Sequence, residues 1–268
     1  MTTIFGIVNV TADSFSDGGK YLTPAAAIEH ARRLIASGAD VIDLGPASSN
    51  PDAAPVGAAI EIARIAPVLD ALLAEGIKVS LDSYLPETQA YALSRGVAFL
   101  NDIRGFPDPA FYPRLAEAET PLVVMHSIQD GQADRREAPE GDIIEHIAHF
   151  FEHRIEALTG AGVARARLIL DPGMGFFLGS APQTSFAVMR RFGELKARFG
   201  LPILISVSRK SFLRKVTGRA PGEAGPATLA AELSLIEAGV DFIRTHEPAP
   251  LRDGMAVLAA LKETARIR

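Results

Sequence analysis

Eight times along this chain a short apolar run ends on an ionic or amide side chain. Ile4-Phe5-Gly6-Ile7-Val8 is followed by Asn9, Val41-Ile42 by Asp43, Val79-Ser80-Leu81 by Asp82, and Phe99-Leu100 by Asn101-Asp102. His126 follows Leu122 to Met125, Asp171 follows Leu168-Ile169-Leu170, Ser208-Arg209-Lys210 follow Ile203 to Val207, and Arg244-Thr245-His246 follow Phe242-Ile243. Runs this short and this apolar read as strands buried on both faces, as in a parallel sheet. A strand has little reason to end on a carboxylate unless that end meets water or a ligand. Eight such ends imply one shared site.

Between them lie segments with helical periodicity: residues 24–37, 57–75, 86–95, 142–159, 182–199, 226–238 and 250–264. Several open on Pro and finish near Gly, as helix starts and stops should. Strand and helix alternate, and eight repeats favour a closed barrel over an open sheet. The expected fold is therefore an α/β protein, a (β/α)8 TIM barrel with its active site at the C-terminal ends of the strands, formed by residues 1–268 as one domain. Three connections, 11–23, 45–56 and 127–141, exceed what a helix start needs and read as lids or binding loops.

The length of 268 residues suits one such barrel. A formal charge of −5, with no Lys/Arg-rich run interleaved with aromatics, argues against a nucleic-acid partner. With no cysteine, disulfides, thiolate nucleophiles and Cys-ligated zinc are excluded together. Neither a signal peptide nor a membrane span is read in the sequence, so the expected location is the cytoplasm.

The strand ends divide into two chemistries. Asp82 and Asp171 accept from amino and amide N–H groups, Asn101 pairs both ways, and Lys210 donates to a ring nitrogen or carbonyl, a set suited to a nitrogen-rich heterocycle. A lone strand-end Asp is equally a helix cap or an ion-pair partner, but several converging weaken that reading. Asn9, Arg244 and His246 meet because the first and last strands of a closed barrel are neighbours. Their donors suit a phosphate or pyrophosphate, and Asn9 Oδ1 is a possible Mg2+ ligand. His126 is expected to line the pocket. His146, His149 and His153 have the spacing of a solvated helix face.

Six ordered segments carry a resemblance over almost the whole chain: residues 9–19, Ser80-Leu81-Asp82-Ser83, Asn101-Asp102-Ile103, Met125-His126, residues 171–176, and Ser208-Arg209-Lys210-Ser211 followed by Arg244-Thr245-His246. In this order and spacing they resemble dihydropteroate synthases. The resemblance implies condensation of 6-hydroxymethyl-7,8-dihydropterin pyrophosphate with p-aminobenzoate, releasing pyrophosphate, with Mg2+. It implies that Asp82, Asn101, Asp171 and Lys210 hold the pterin, and that Asn9, Arg244 and His246 hold pyrophosphate, Asn9 with the metal. Lys210, Asp82, Arg244 and His246 would carry the catalysis. Ser48, Ser49, Phe176, Phe177 and Ser211 would lie on the p-aminobenzoate side. A homodimer through the outer helices is also implied.

Three departures from the family pattern stand out. Ala12 replaces a usual Pro in the first long loop. Asn50, in Gly45-Pro46-Ala47-Ser48-Ser49-Asn50-Pro51-Asp52, stands where an Arg is usual, with Arg104 or Arg135 as candidates to replace its charge. Gly175-Phe176-Phe177-Leu178 replaces a usual Gly-Phe-Gly-Lys. In these the chain resembles the mobile, sulfonamide-insensitive branch, which implies a bulky wall at Phe176, Phe177 and Leu178 that excludes the drug and admits the planar substrate. Two alternatives are a non-catalytic pterin-binding protein and a pterin-dependent methyltransferase.

Overall fold

Parity along the strands decides which residues reach the centre of the molecule. The computed structural model describes residues 2–10, 23–47, 56–129, 133–134 and 136–264. Within them are β1 Thr3–Asn9, β2 Val41–Gly45, β3 Val79–Asp82, β4 Phe99–Asp102, β5 Leu122–Met125, β6 Leu168–Asp171, β7 Leu204–Ile205 and β8 Phe242–Thr245. All pair in parallel, in the order β6-β5-β4-β3-β2-β1-β8-β7. A single parallel bridge between Leu170 and Ile203 joins the two free edges, and the sheet closes as the expected (β/α)8 barrel.

Inside the barrel, Phe5, Val41, Val123, Ile169 and Leu204 form an apolar floor with Phe99 and Phe242 packed against it. The Phe5 ring lies 4.9 Å from that of Phe99 and 5.7 Å from that of Phe242, both tilted as aromatic quadrupoles prefer. Residues of opposite parity, among them Ile4, Ile42, Leu81, Leu100, Leu170 and Ile243, face outward into the main core beneath the helices. Two residues beyond each floor position, the same strand again points inward. So Val41 leads to Asp43, Phe99 to Asn101, Ile169 to Asp171 and Phe242 to Arg244.

The helices described are α1 Pro24–Ala36, α2 Ala58–Ala74, α3 Pro86–Ser94, α4 Tyr112–Glu117, α5 Ile143–Gly160, α6 Pro182–Phe199, α7 Ser211–Thr217, α8 Gly225–Glu237 and α9 Pro248–Thr264. Their ends follow local chemistry. Thr23 Oγ1 accepts from Ala26 N at 3.2 Å ahead of α1, and Asp142 Oδ1 accepts from Ile144 N at 2.9 Å ahead of α5. Gly200, left-handed at φ 59°, ends α6. The helical segments expected from periodicity are all present within one or two residues. Helices α4 and α7 are additional: six and seven residues long, they are too short to display a hydrophobic period. No helix among the described residues is long and apolar enough to cross a membrane.

Because Phe5 belongs to the floor and not to the polar mouth, Phe5→Ala is expected to cost about 3–5 kcal/mol of stability. Urea titration reads this as a lower midpoint with unchanged slope, and turnover at a temperature where the variant stays folded is expected near the parent value. A midpoint within experimental error of the parent's would contradict the role of the floor.

Candidate active site

The inward-facing polar layer is organised by Arg244. Its Nε donates to Asp43 and one Nη to Asp82, so one guanidinium bridges the carboxylates of two neighbouring strands. Asp43 is fully buried, and Arg244 and Asp82 nearly so. Burial alone would lower the Arg244 pKa, but the Asp43 and Asp82 charges outweigh it and raise it. Two carboxylates facing each other in this space would repel at short range; the cation between them makes the arrangement possible.

Asn101 pairs in register with Asp82 across β3 and β4. It is 3% exposed, and its Oδ1 has no hydrogen-bond partner among the described residues; Asp43 Oδ1 is likewise buried and without a partner among them. Asp171, on β6, uses Oδ1 to accept from Gly173 N at 2.8 Å. Gly173 has φ +71°, and a Cβ there would collide with the His126 carbonyl, so the turn that carries this hydrogen bond admits only glycine. Lys210 caps the start of α7 and enters the same electrostatic neighbourhood as Arg244, Asp171 and Asp82.

The charges do not balance. Three carboxylates, Asp43, Asp82 and Asp171, face two cations, Arg244 and Lys210. Burial, reinforced by Asp43 and opposed by Arg244 and Lys210, pushes Asp82 upward. Burial likewise raises Asp171 to about 6, against the pull of the Gly173 amide and Lys210. Lys210 is lowered to about 8 by burial and by Arg244, with Asp171 and Asp82 opposing. The barrel mouth thus holds more acidic acceptors than cationic donors.

Asn9 ends β1 opposite Gly45 of β2, and His246 follows β8. Asn9 Oδ1 lies over Gly45, where a Cβ would come within 2.9 Å of it, on the side towards Asp82. His246 Nδ1 is 2.9 Å from Ser208 Oγ. Its pKa is lowered to about 3 by burial and by Arg209, Arg244 and Lys210, so the ring is neutral. Among the described residues no three His, Cys, Asp or Glu side chains gather in a metal-binding group. Mg2+ commonly keeps its waters and substrate phosphates and takes only one or two protein oxygens. Asn9 Oδ1 is one such oxygen, so the residues present fit an ion of this kind.

Phe177 is 3% exposed, packed with Ile103, Met125 and Ala133, and its ring centroid lies 5.1 Å from Lys210 Nζ. Phe176 is half-buried beside that cluster. Lys210 Cδ and Ser211 Oγ approach the position of a Cβ on Gly175 at 3.4 and 3.7 Å, which brings the sixth loop against the start of α7.

Several expectations need correcting. Leu178 is fully buried in the main core, so it is not part of a wall facing the pocket. His126 has outward parity: it is buried, its Nδ1 pairs with the Pro172 carbonyl at 3.0 Å, and its ring packs on His146 and Phe150, so it does not line the mouth. His146, His149 and His153 are all exposed, as expected, although the His146 ring also meets that of His126 edge-on at 5.3 Å. Arg244 lies within the pterin-side carboxylates, with two of its N–H groups already engaged. Arg104 stacks over Tyr84 at 5.6 Å. Ala12, Ser48, Ser49, Asn50 and Arg135 lie outside the described residues. Asp43 was not singled out as a site residue, although its spacing from Val41 carries the inward parity.

Residues 5–246 match the model of the pterin-binding enzyme family. The chain is 76% identical to the dihydropteroate synthase type-2 of Escherichia coli, over 99% of this chain and 98% of that protein. Its fold is similar to the dihydropteroate synthase of Yersinia pestis solved as a sulfonamide drug complex, with a TM-score of 0.90 at 30% identity, covering 98% of this chain and 94% of that one. It is also similar to the Xanthomonas albilineans dihydropteroate synthase solved with 4-aminobenzoic acid, with a TM-score of 0.88 at 32% identity, covering 97% and 93%. The chain belongs to the pterin-binding enzyme family, among its dihydropteroate synthases.

The raised Asp171 pKa has a consequence for stability. With the folded value near 6 and the ordinary value at 3.8, the unfolded chain releases its proton first, so stability falls as pH rises from about 4 to about 6. Asp171→Asn, which keeps the acceptor for Gly173 N, is expected to stabilise the protein by roughly 3 kcal/mol at pH 7, with no gain below pH 4. Denaturant midpoints at the two pH values check this, and an equal difference at both would refute it.

Proposed function

We propose that this protein is a dihydropteroate synthase: it joins 6-hydroxymethyl-7,8-dihydropterin pyrophosphate to p-aminobenzoate, with release of pyrophosphate, and continues to do so in the presence of sulfonamides. The observation that carries the substrate reading is the buried, unpartnered Oδ1 of Asn101 among Asp43, Asp82 and Asp171. Leaving such acceptors without donors is costly, and the amino and amide N–H edge of a pterin supplies them. Lys210 donates from the opposite side to a ring nitrogen or carbonyl.

In the reaction the bond between the pterin methylene carbon and the pyrophosphate oxygen breaks, and its electron pair leaves with pyrophosphate. The amine nitrogen of p-aminobenzoate then bonds to that carbon and gives up a proton to solvent. Ionised Asp82 and Asp171 favour the cationic pterin, Arg244 holds Asp82 in place, and the donors at Asn9 and His246 receive the departing anion. Asn9 would hold Mg2+, which supplies charge neutralisation of the leaving phosphates when bound. Ser211, beside Gly175 and Lys210, together with Phe176 and Phe177, would form the p-aminobenzoate side, with Ser48 and Ser49 completing it.

The test is pyrophosphate release on addition of both substrates. Turnover that requires Mg2+ and stops on chelation is expected. In free-enzyme kinetics, kcat/KM is expected to rise as Asp171 and Asp82 ionise, near pH 6 and 7, and to fall as Lys210 deprotonates near pH 8, and Lys210→Met is expected to abolish the alkaline limb together with most of the rate. Pterin binding without turnover would point to a non-catalytic binding protein, and methyl transfer without pyrophosphate release to a pterin-dependent methyltransferase.

For drug insensitivity, the support is the Phe177 ring, fixed between the Ile103, Met125 and Ala133 cluster and Lys210. A rigid ring there leaves room for a planar carboxylate and crowds a tetrahedral sulfonyl with its substituent. Phe177→Gly is expected to tighten sulfamethoxazole inhibition at least about tenfold relative to the p-aminobenzoate KM. Unchanged inhibition in a folded Phe177→Gly variant would sink the wall.

For quaternary state we propose a homodimer through the outer helices. Val257 and Leu261, one turn apart on α9, and Val216 on α7 are all more than half exposed, and sedimentation velocity reads the assembly directly. A chain without cysteine suits the reducing cytoplasm, and subcellular fractionation would find it there.

A further inference from the structure

Behind His246, on the outward side of the barrel wall, lies a line of buried polar side chains that the reaction as described does not use. Thr245 has outward parity and faces α8, where Glu232 is 1% exposed. The Thr245 hydroxyl lies close enough to the Glu232 carboxyl to favour its ionised form. Thr245 Oγ1 is also 3.4 Å from Ser208 Oγ, and Ser208 Oγ is 2.9 Å from His246 Nδ1. Thr245 and Ser208 are buried as well, at 0% and 4% exposure. The line therefore runs from the helix layer through the wall to the imidazole without contact with bulk water.

The polarity of such a line is set by its end. A hydroxyl has one hydrogen to give. Ser208 Oγ already accepts from the His246 amide at 3.2 Å, and Thr245 Oγ1 accepts from the Glu247 amide at 3.3 Å. If Glu232 carries a proton, it donates to Thr245, Thr245 to Ser208, and Ser208 to His246 Nδ1. The imidazole proton then resides on Nε2. If Glu232 is ionised, Thr245 turns its hydrogen to the carboxylate, Ser208 turns to Thr245, and Nδ1 takes the ring proton, leaving Nε2 as an acceptor. Only the first arrangement gives a pyrophosphate a donor.

We propose that Glu232, Thr245 and Ser208 form a relay that fixes His246 as the neutral Nε2–H tautomer, which makes Glu232 a positioning residue for the pyrophosphate end of the site. The proposal rests on the synthase reading only for the identity of the anion. Burial pushes the Glu232 pKa to about 8, with Thr245 opposing and Glu247 reinforcing, which keeps the carboxyl protonated at neutral pH. Its Oε1 has no hydrogen-bond partner among the described residues, which a carboxylic acid tolerates far better than a carboxylate. The cations around His246 act in the same sense, because Arg209, Arg244 and Lys210 disfavour the imidazolium. A neutral donor on an anion seat binds without having to change protonation when pyrophosphate leaves.

The experiment is nitrogen NMR of the full-length protein with labelled histidine, without substrate at pH 7.5, with the His246 signals assigned by their loss in His246→Gln. The expected spectrum has a protonated Nε2 and an unprotonated Nδ1. Thr245→Val, which removes the hydroxyl at almost constant volume, and Glu232→Ala are expected to give averaged tautomers. Glu232→Gln, a neutral donor, is expected to restore Nε2–H. In parallel, Thr245→Val is expected to raise the KM for the pterin pyrophosphate about fivefold, the worth of one hydrogen bond, with the KM for p-aminobenzoate unchanged.

A protonated Nδ1, a charged ring in the parent protein, or His246 signals indifferent to both Thr245→Val and Glu232→Ala would overturn the relay. Titration with inorganic pyrophosphate separates the two readings. The expected tautomer with no His246 response to pyrophosphate would leave the relay standing and remove the anion seat. A response with the wrong tautomer would do the reverse.

Discussion

A guanidinium held between two buried carboxylates is the constraint from which the rest of this site follows. Arg244 joins Asp43 and Asp82 across the top of an otherwise apolar barrel interior. Removing one partner of such a set leaves an uncompensated buried charge, which is far more costly than the set itself is stabilising. The three side chains therefore hold their places only together. The layer's excess of acceptors over donors also raises the carboxylate pKa values within it.

The floor and the mouth divide the labour along each strand. Phe5, Phe99 and Phe242 close the interior from below, and Asn101 and Arg244 sit two residues further on from Phe99 and Phe242. One pleat thus separates residues whose work is cohesion from residues whose work is chemistry. Tilted aromatic packing gives the polar layer a rigid base, so the carboxylates are placed by strand geometry and not by loops.

Much of this was legible in the chain itself. The strand-end pattern led to the barrel because each strand is short, apolar and closed by one polar residue, and parallel strands bury both faces. Asp82, Asn101, Asp171 and Lys210 were readable as one neighbourhood for the same reason. His126 was misread because its strand ends one residue earlier in parity than it looks: Met125 faces inward and His126 turns toward α5. Asp43 was legible as a strand end of the shared site, but no spacing in the chain pairs it with Arg244, 201 positions away. The line through Ser208, Thr245 and Glu232 joins three elements distant in sequence, and no spacing rule could have assembled it. Helix α7 went unseen because seven residues hold too few turns to show a period.

The closure of the barrel at a single bridge, Leu170 to Ile203, has a consequence for how such a site diversifies. On one side of that junction stand Asp171 and the loop carrying Phe177; on the other stand Ser208, Lys210 and the start of α7. Elsewhere neighbouring strands share longer ladders, so an altered loop would strain hydrogen bonds that many residues depend on. Here little pairing spans the junction, and bulk added to one lip is absorbed locally while the remaining ladders keep their register. Loop composition there can therefore change with no ladder register at stake, but Asp171 and Lys210 flank the same junction, so bulk at Phe177 bears directly on both of them.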